Sequence, residues 1–468
     1  MRNYITNKKL NNASKIALTC VFWLVIWQVA AICVGNTLLL PNIFETVSAL
    51  GILLKMESFY MSVAWTLFRC ILAIAISFLL GCFCAWMAYK RALIKNLMVI
   101  PVSFFKAVPV MAIVIYVILL VEANWVAVVA CLLMCFPIVY TNILGGLESV
   151  SVELLEVAKV YRLGNADVVK LIYMPSVVPH FNAAMKIVAG LSWKAVVAAE
   201  VLSVPEFSLG QGMISAKYYL ETPTLFAYIF VIVGLSLALE KLIVALTANI
   251  NARNYGSIRL GENRAGDCKE VMPLSIKMTN LGKSFGEKKV IDKLNVDIEA
   301  GGKVSVVGSS GSGKTTLARL LTGLENYDEG IIEFSDHPRI AYLFQEDRLL
   351  PWLNVFENMA LAASLNCDMT YDDVKNIAKA LEIDQVLYKM PDELSGGMKH
   401  RVALGRTFLA GGNLLILDEP FRGLDDGLKK RIVDRLWDTI TKDKTVVVIS
   451  HNESDVKLLG IEKTVNIR

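Results

Sequence analysis

Hydrophobic and polar positions are distributed unevenly along this chain. In the first 250 residues apolar side chains run together, and 16–44, 71–89, 123–147 and 222–239 contain no Asp, Glu, Lys or Arg. An uncharged apolar run of about 18 residues or more is long enough to cross ~30 Å of hydrocarbon as a helix. Six crossings are predicted, at roughly 16–35, 65–89, 97–121, 124–146, 181–202 and 222–246. Residues 251–273 are polar, contain glycine and lack apolar periodicity, so they read as a linker. The pattern then changes. "LSIKMTNLGKSF" and "VIDKLNVDIEAG" alternate apolar and polar positions, as half-buried antiparallel strands do. "KVSVVG", "LLILDE" and "TVVVIS" are short, nearly continuous apolar runs, which fit strands of a parallel sheet covered on both faces. The expected organisation is an all-α polytopic membrane domain over 1–250, the linker, and a soluble α/β domain over 274–468.

Composition agrees with that division. Of 468 residues 55% are hydrophobic and only 19% charged, and the mean hydropathy of +0.51 is far to the apolar side for a soluble protein. The net charge of +4 is too small to suggest nucleic-acid binding, and its distribution says more. Basic residues cluster at Arg2, Lys8, Lys9 and Lys15, at Lys90, Arg91 and Lys95, at Lys159, Arg162 and Lys170, and at Arg253 and Arg259. The intervening loops are acidic or nearly neutral. With six crossings every basic cluster falls on one side, and the positive-inside rule makes that side cytoplasmic. The expectation is a multi-pass protein of the cytoplasmic (inner) membrane, with its N-terminus and soluble domain inside. The basic start before an apolar run reads as an uncleaved first helix, because no small-residue cleavage site stands out and five more crossings follow. Cys82 with Cys84, and Cys131 with Cys135, read as small packing residues in helices.

Chemistry enters with "GSSGSGKT", residues 308–315, between the strand "KVSVV" and the apparent helix "TTLARLLTGL". Small residues let successive backbone N–H groups curl around phosphate oxygens, and a helix N-terminus adds a favourable dipole. Gly308, Ser309, Ser310, Gly311, Ser312, Gly313, Lys314, Thr315 and Thr316 are therefore the expected nucleotide cradle. Lys314 would reach the β- and γ-phosphates of ATP, and the Thr315 hydroxyl would ligate Mg²⁺. "LLILDEP" ends a strand in two carboxylates: Asp418 is placed to hold Mg²⁺ through water, and Glu419 to polarise the attacking water.

"ELSGGMKHR" narrows the reading. Ser395, Gly396 and Gly397 at a helix start form a second anion site, and one nucleotide does not need two cradles in one chain. The arrangement makes sense when the second cradle closes over a nucleotide held by another copy. Here the sequence resembles the ATP-binding cassette (ABC) family, whose signature matches Leu394–Met398, with Met in the usual Gln position. The resemblance covers most of 275–455. It implies that Phe285 stacks on adenine, that Gln345 senses Mg²⁺ and the attacking water, that Asp425 belongs to the inter-subunit aspartate loop, and that His451 is the switch histidine. "LFQEDRLLPWLNVFENMAL" further resembles cassettes serving nitrate, sulfonate, taurine and thiamine-precursor importers, where this stretch meets the membrane partner.

The membrane half carries "LLEVAKVYRLGNADVVKLIYMP", residues 154–175, between predicted crossings four and five. It resembles the cytoplasmic coupling loop of binding-protein-dependent importers: Glu156 and Ala158 fit the start of the pattern and Pro175 the end. Where the family has glycine this chain has Arg162, with Gly164 two residues on. Two outcomes are expected: the turn moves to Gly164, or the helix runs longer and Arg162 meets an acidic groove. Charges inside predicted crossings, among them Arg69, Lys106, Lys194 and Glu200, need partners or a polar path. Arg69, near an outer end, is expected to snorkel; Lys106, and Lys194 with Glu200, lie deeper and either line a path for an anionic solute or hold helices together.

The resulting expectation is one half of an importer, six membrane helices fused to one P-loop ABC ATPase. ATP and Mg²⁺ are its cofactors. A second copy, a separate extracytoplasmic solute-binding protein, a small solute and the bilayer are its partners. A half-size exporter, and an ATP-driven membrane regulator that moves no solute, are the alternatives.

Overall fold

The computed structural model describes residues 2–248, 250, 272–309, 311–364 and 369–467. Ser310 and most of the expected linker, 251–271, therefore lie outside the described residues. The chain forms two compact units. The first comprises residues 1–148 and 177–250, and the second 149–176 and 251–468. The 28-residue stretch between the two membrane-type segments thus belongs, by its packing, to the soluble half.

The first unit is helical: α1 (Arg2–Val34), α2 (Ile43–Leu53), α3 (Glu57–Lys90), α4 (Ala92–Ala107), α5 (Val110–Ile118) and α6 (Ala123–Glu148). The 149–176 stretch follows as α7 (Val152–Val160), α8 (Asn165–Val168) and a π turn over Val169–Tyr173 that runs into α9 (Met174–Ser203). Then come α10 (Leu209–Tyr218) and α11 (Thr222–Ala248). Helices α3, α6 and α11 are each long and apolar enough to cross a membrane. The predicted third crossing is instead a pair, α4 and α5, bent by 102° at Val108–Pro109. Proline has no N–H to continue the ladder and pushes the preceding residue to extended geometry. The first crossing corresponds to the apolar part of α1, Leu18–Val34. The fifth lies in α9, where Lys186, Lys194 and Glu200 lower the hydropathy.

Arg69 corrects an expectation. Its side chain does not snorkel; it is 3% exposed and pairs with Glu200 at 2.9 Å. The guanidinium also donates to Asn124 O and Oδ1, Glu206 O and Phe207 O. Thr66 Oγ1 and Gly210 N–H complete the Glu200 carboxylate. Glu200 therefore joins α3, α6, α9 and α10 and is not a partner of Lys194. Gly210 is required here, since a Cβ would fall 2.5 Å from Glu200 atoms.

The second unit contains two sheets. β1 (Ile276–Phe285) pairs antiparallel with β2 (Lys288–Ile298) and with β4 (Glu329–Phe334). β3 (Lys303–Val307), β5 (Ile340–Leu343), β6 (Leu414–Asp418), β7 (Thr445–Ile449) and β8 (Lys463–Asn466) form a sheet in the order β5-β6-β7-β3-β8. Its described ladders are parallel, and β6 and β7 are buried along their whole length. Both the alternating and the continuous apolar runs thus became the expected strand types. The helices that follow are α12 (Lys314–Leu321), α13 (Val355–Ala360), α14 (Tyr371–Ala380), α15 (Gly396–Leu409) and α16 (Asp426–Ile432).

Candidate active site and docking segment

Parallel strands deliver their carboxyl ends to one edge, and the order of this sheet places β3 and β6 on either side of β7. The loop 308–313 leaves β3 and turns into α12. Gly313 takes φ 98°, and a Cβ there would lie 2.7 Å from Val290 Cγ1, so backbone and space both require glycine. Lys314 Nζ donates to Gly308 O and Ser309 O at 2.8 and 2.7 Å, folding over its own loop. Ser312 Oγ is buried and has no hydrogen-bond partner among the described residues. Thr315 Oγ1 donates to Asp418 Oδ2 at 2.9 Å. This brings the glycine-rich loop and the strand-end carboxylates of the expected nucleotide site together across 103 residues.

Asp418 ends β6. Burial pushes its carboxyl up to about 6; the Thr315 hydroxyl works against this, and the adjacent Glu419 charge adds to it. Glu419 itself sits at φ 53°, a left-handed conformation costing a side chain about 1–2 kcal/mol. Its N–H is fixed to Ile449 O at 2.9 Å, and His451 Nδ1 lies 3.2 Å from its Oε1. The pairing of β5 with β6, Leu343 beside Leu417, carries the exposed Gln345 out beside this edge. Phe285 ends β1 half exposed, with Lys283 Nζ 5.2 Å over its ring. Hard oxygen donors at Thr315 and Asp418, beside an unpartnered buried Ser312 hydroxyl, suit a divalent cation with a polyphosphate.

Ser395 is the N-cap of α15, its Oγ accepting from Met398 N–H, with Gly396 and Gly397 as the first helical residues. Asp425 caps α16, and the Leu428 N–H holds its carboxyl below the usual range. Among the described residues no hydrogen bond links Ser395–Gly397 or Asp425 to the 308–315 loop. Thr316 continues α12.

The 149–176 stretch is bound to this machinery by polar contacts the sequence did not foretell. Glu156 takes Arg319, on α12, in a bidentate pair at 2.9 and 2.6 Å, and Arg348 at 2.5 Å. Burial opposes its ionisation, but the two guanidinium groups prevail and hold the carboxyl below the ordinary range. Lys159 Nζ donates to Gly323 O. Tyr161 is fully buried, its hydroxyl 3.4 Å from Thr407 Oγ1. Trp352 Nε1 donates to Leu171 O at 2.7 Å. Ala158 is buried in the hydrophobic core of this unit, and Pro175 is buried at the start of α9.

Arg162 overturns both expectations for it. The turn is not at Gly164, which has φ −62° and caps α8. It is at Arg162, with φ 51°. The Arg162 and Leu163 N–H groups bond back to Lys159 O and Ala158 O, the Schellman ending of a helix that normally carries glycine in this place. Nor does the guanidinium meet an acidic groove: Nη2 donates to the backbone carbonyl of Pro338 at 2.7 Å.

Two further residues escaped sequence reading. His400, on α15 and nearly buried, has Nδ1 3.0 Å from Asp347 Oδ1 and Nε2 3.0 Å from Pro420 O. Arg406, also on α15, donates to Asp347 O and Arg348 O. The signature helix is thereby tied to the segment that follows Gln345.

Residues 77–253 match the family described as binding-protein-dependent transport system inner membrane component, and residues 291–422 match the ABC transporter family. The aliphatic sulfonates import ATP-binding protein SsuB of Bacillus cereus is 37% identical over 180 residues, 37% of this chain and 71% of that protein. The chain belongs to the ABC transporter family. It is of the importer type, permease and ATP-binding cassette fused in one chain, and its cassette binds ATP and couples hydrolysis to transport. The SsuB of Corynebacterium glutamicum is 36% identical over 188 residues, covering 38% of this chain and 75% of that protein. The sulfate/thiosulfate import ATP-binding protein CysA 1 of Shewanella oneidensis is 31% identical over 201 residues, 39% of this chain and 53% of that protein. An inner-membrane importer component in the first half goes against the exporter alternative.

Proposed function

We propose that this ABC transporter imports a small acidic solute, of the sulfonate or oxyanion kind, as a homodimer fed by a separate extracytoplasmic solute-binding protein. The solute class rests on relatives that import sulfonates or sulfate. Two copies are needed because, among the described residues, Ser395–Gly397 and Asp425 make no hydrogen bond to the nucleotide loop of their own chain. In the dimer they would close over the loop 308–315 of the partner copy, with Phe285 against the adenine. Thr315, Asp418 and Gln345 would hold Mg²⁺, which supplies charge neutralisation on the phosphates. Glu419 would take the proton of the attacking water, aided by His451.

The observation that carries the reading is the Glu156 cluster. A segment lying in sequence between two membrane-type stretches grips, with one carboxylate, both the helix that starts at the nucleotide loop and the residue three past Gln345. A rearrangement of either loop on ATP binding would be felt by α6 and α9, into which the segment continues, giving alternating access. The basic clusters favour a cytoplasmic N-terminus and cassette.

Exchange of Glu419 for Gln tests the assignment. Turnover should fall by roughly 10²–10⁴, with ATP still bound and the dimer trapped closed in size-exclusion or cross-linking measurements. Sustained ATPase in that variant would sink the catalytic role.

A further inference from the structure

The charges inside the membrane unit fall into separate classes. Glu200 is saturated by Arg69, Thr66 and Gly210, and Lys106 leans on Thr141 Oγ1 at 3.4 Å. Of the others, which include Lys186 on α9 and Lys241 on α11, Lys194, on α9, and Glu240, on α11, stand out. Neither forms a hydrogen bond or ion pair with another described residue, and they do not pair with each other. Both line one cavity of about 620 Å³, within the size range of small-molecule sites. Trp193, Met213 and Leu237 contribute to its apolar walls, and Lys194, Ser236 and Glu240 bring the polar groups. The indole N–H of Trp193 is spent on Ile232 O, so that ring offers only its apolar surface.

We propose that this cavity is a solute site within the membrane unit, built for a small zwitterion. Its acidic group would lie against Lys194 Nζ and its amine-type cation against Glu240, with an apolar body between. A plain anion would satisfy Lys194 and leave Glu240 facing a like charge; a plain cation would do the reverse. Only a solute carrying both signs neutralises both side chains, and an unpaired charge within a membrane-type segment is costly. The inference rests on the importer reading and narrows its solute from an acid to an amino acid-like or aminosulfonate-like molecule.

The test uses the full chain in lipid nanodiscs, with no binding protein added, and titration calorimetry. The probes are aminoethanesulfonate and its longer homologues, each beside the alkanesulfonate of equal length. The wild type should bind an amino compound of matching length and prefer it to its alkane counterpart. Lys194→Met should weaken both series, by roughly tenfold or more for the loss of a charge-assisted contact. Glu240→Gln should weaken only the amino series and remove the preference. A preference that survives Glu240→Gln overturns the proposal. So does loss of thermal stability in both single variants that the exchanged pair Lys194→Glu with Glu240→Lys restores, since the two side chains would then serve one another. A wild type that hydrolyses ATP yet binds none of the probes overturns the cavity assignment and leaves the importer reading standing.

Discussion

Two carboxylates, Glu156 and Glu200, each meet arginine, and the contrast between them separates a joint from a lock. Glu200 and Arg69 are almost wholly buried and every partner is satisfied, from four helices of the membrane unit. Glu156 is 16% exposed and is held by two guanidinium groups, Arg319 from the helix α12 and Arg348 from the segment after Gln345. A buried, fully bonded pair resists any change that would strip one partner, because the charge left behind is unsatisfied. A partly solvated pair exchanges partners at far lower cost. The first arrangement suits helices that must keep their registry, and the second suits a contact that shifts during a cycle.

The strongest way to break this contrast is Arg69→Ala. It leaves Glu200 charged and buried, and the cost expected is about 3–5 kcal/mol, read as a fall in melting temperature and in folded yield. A melting temperature equal to wild type would show that Arg69 is dispensable to the fold. Glu156→Ala should act differently. Folding and ATP affinity should change little, while ATPase stimulated by the solute receptor should fall toward the basal rate, because both arginine contacts to the segment are lost. Unaltered stimulation would deny the joint its role.

Acid sharpens the same point. The Glu156 carboxyl is held below its ordinary value, so its contribution is complete above about pH 4.3, the value of a free glutamate. It is lost as pH falls through the lower, folded value. Protection against hydrogen exchange at 152–160 should therefore fall on acidification in the wild type, whereas in Glu156→Gln it should be lower already at neutral pH and respond little to acid. Equal acid sensitivity in the two would place the titrating group elsewhere. The smallest effect belongs to Arg162→Gly. It removes left-handed strain of about 1–2 kcal/mol and one hydrogen bond to Pro338 O, worth about 1 kcal/mol, so stability should move by no more than about 1 kcal/mol. A larger loss in thermal unfolding would mean that the guanidinium contact anchors the segment.

The nucleotide edge was legible because its chemistry is local. A glycine-rich loop between a buried strand and a helix, and a strand ending in Asp418-Glu419, declare themselves by spacing alone. The strands were legible for a like reason, since burial on one face or both leaves period-two or continuous apolar runs. Arg319, Arg348, Trp352 and His400 were not, because each lies in a segment whose pattern is explained by ordinary helix or loop packing. Their partners are 181 residues away for Trp352 with Leu171 and 163 for Arg319 with Glu156. No periodicity records such pairings.

The glycine position at Arg162 shows the limit from the other side. The sequence shows the departure and leaves two outcomes open, of which a turn moved to Gly164 has the plainer physical ground, as glycine takes positive φ without strain. The fold keeps the turn in its place and accepts an arginine there, because the Schellman bonds and the Pro338 carbonyl offset the strain. Similarly, hydropathy counted the charges within the membrane half but could not sort them. Only packing made Glu200 the partner of Arg69 and left Lys194 and Glu240 together on one cavity.

What the sequence by itself determined was therefore an apolar helical half and an α/β ATPase of the ABC family, and it singled out the residues proposed for nucleotide binding and hydrolysis and the stretch 154–175 proposed as the link. Those depend on composition, period and motif spacing, which are properties of neighbouring residues. What only the tertiary structure decided was which distant polar groups meet: Glu156 with Arg319 and Arg348, Glu200 with Arg69, His400 with Asp347. Such pairs are chosen by the three-dimensional approach of whole elements, since a buried charge must find its counter-charge wherever the fold brings one.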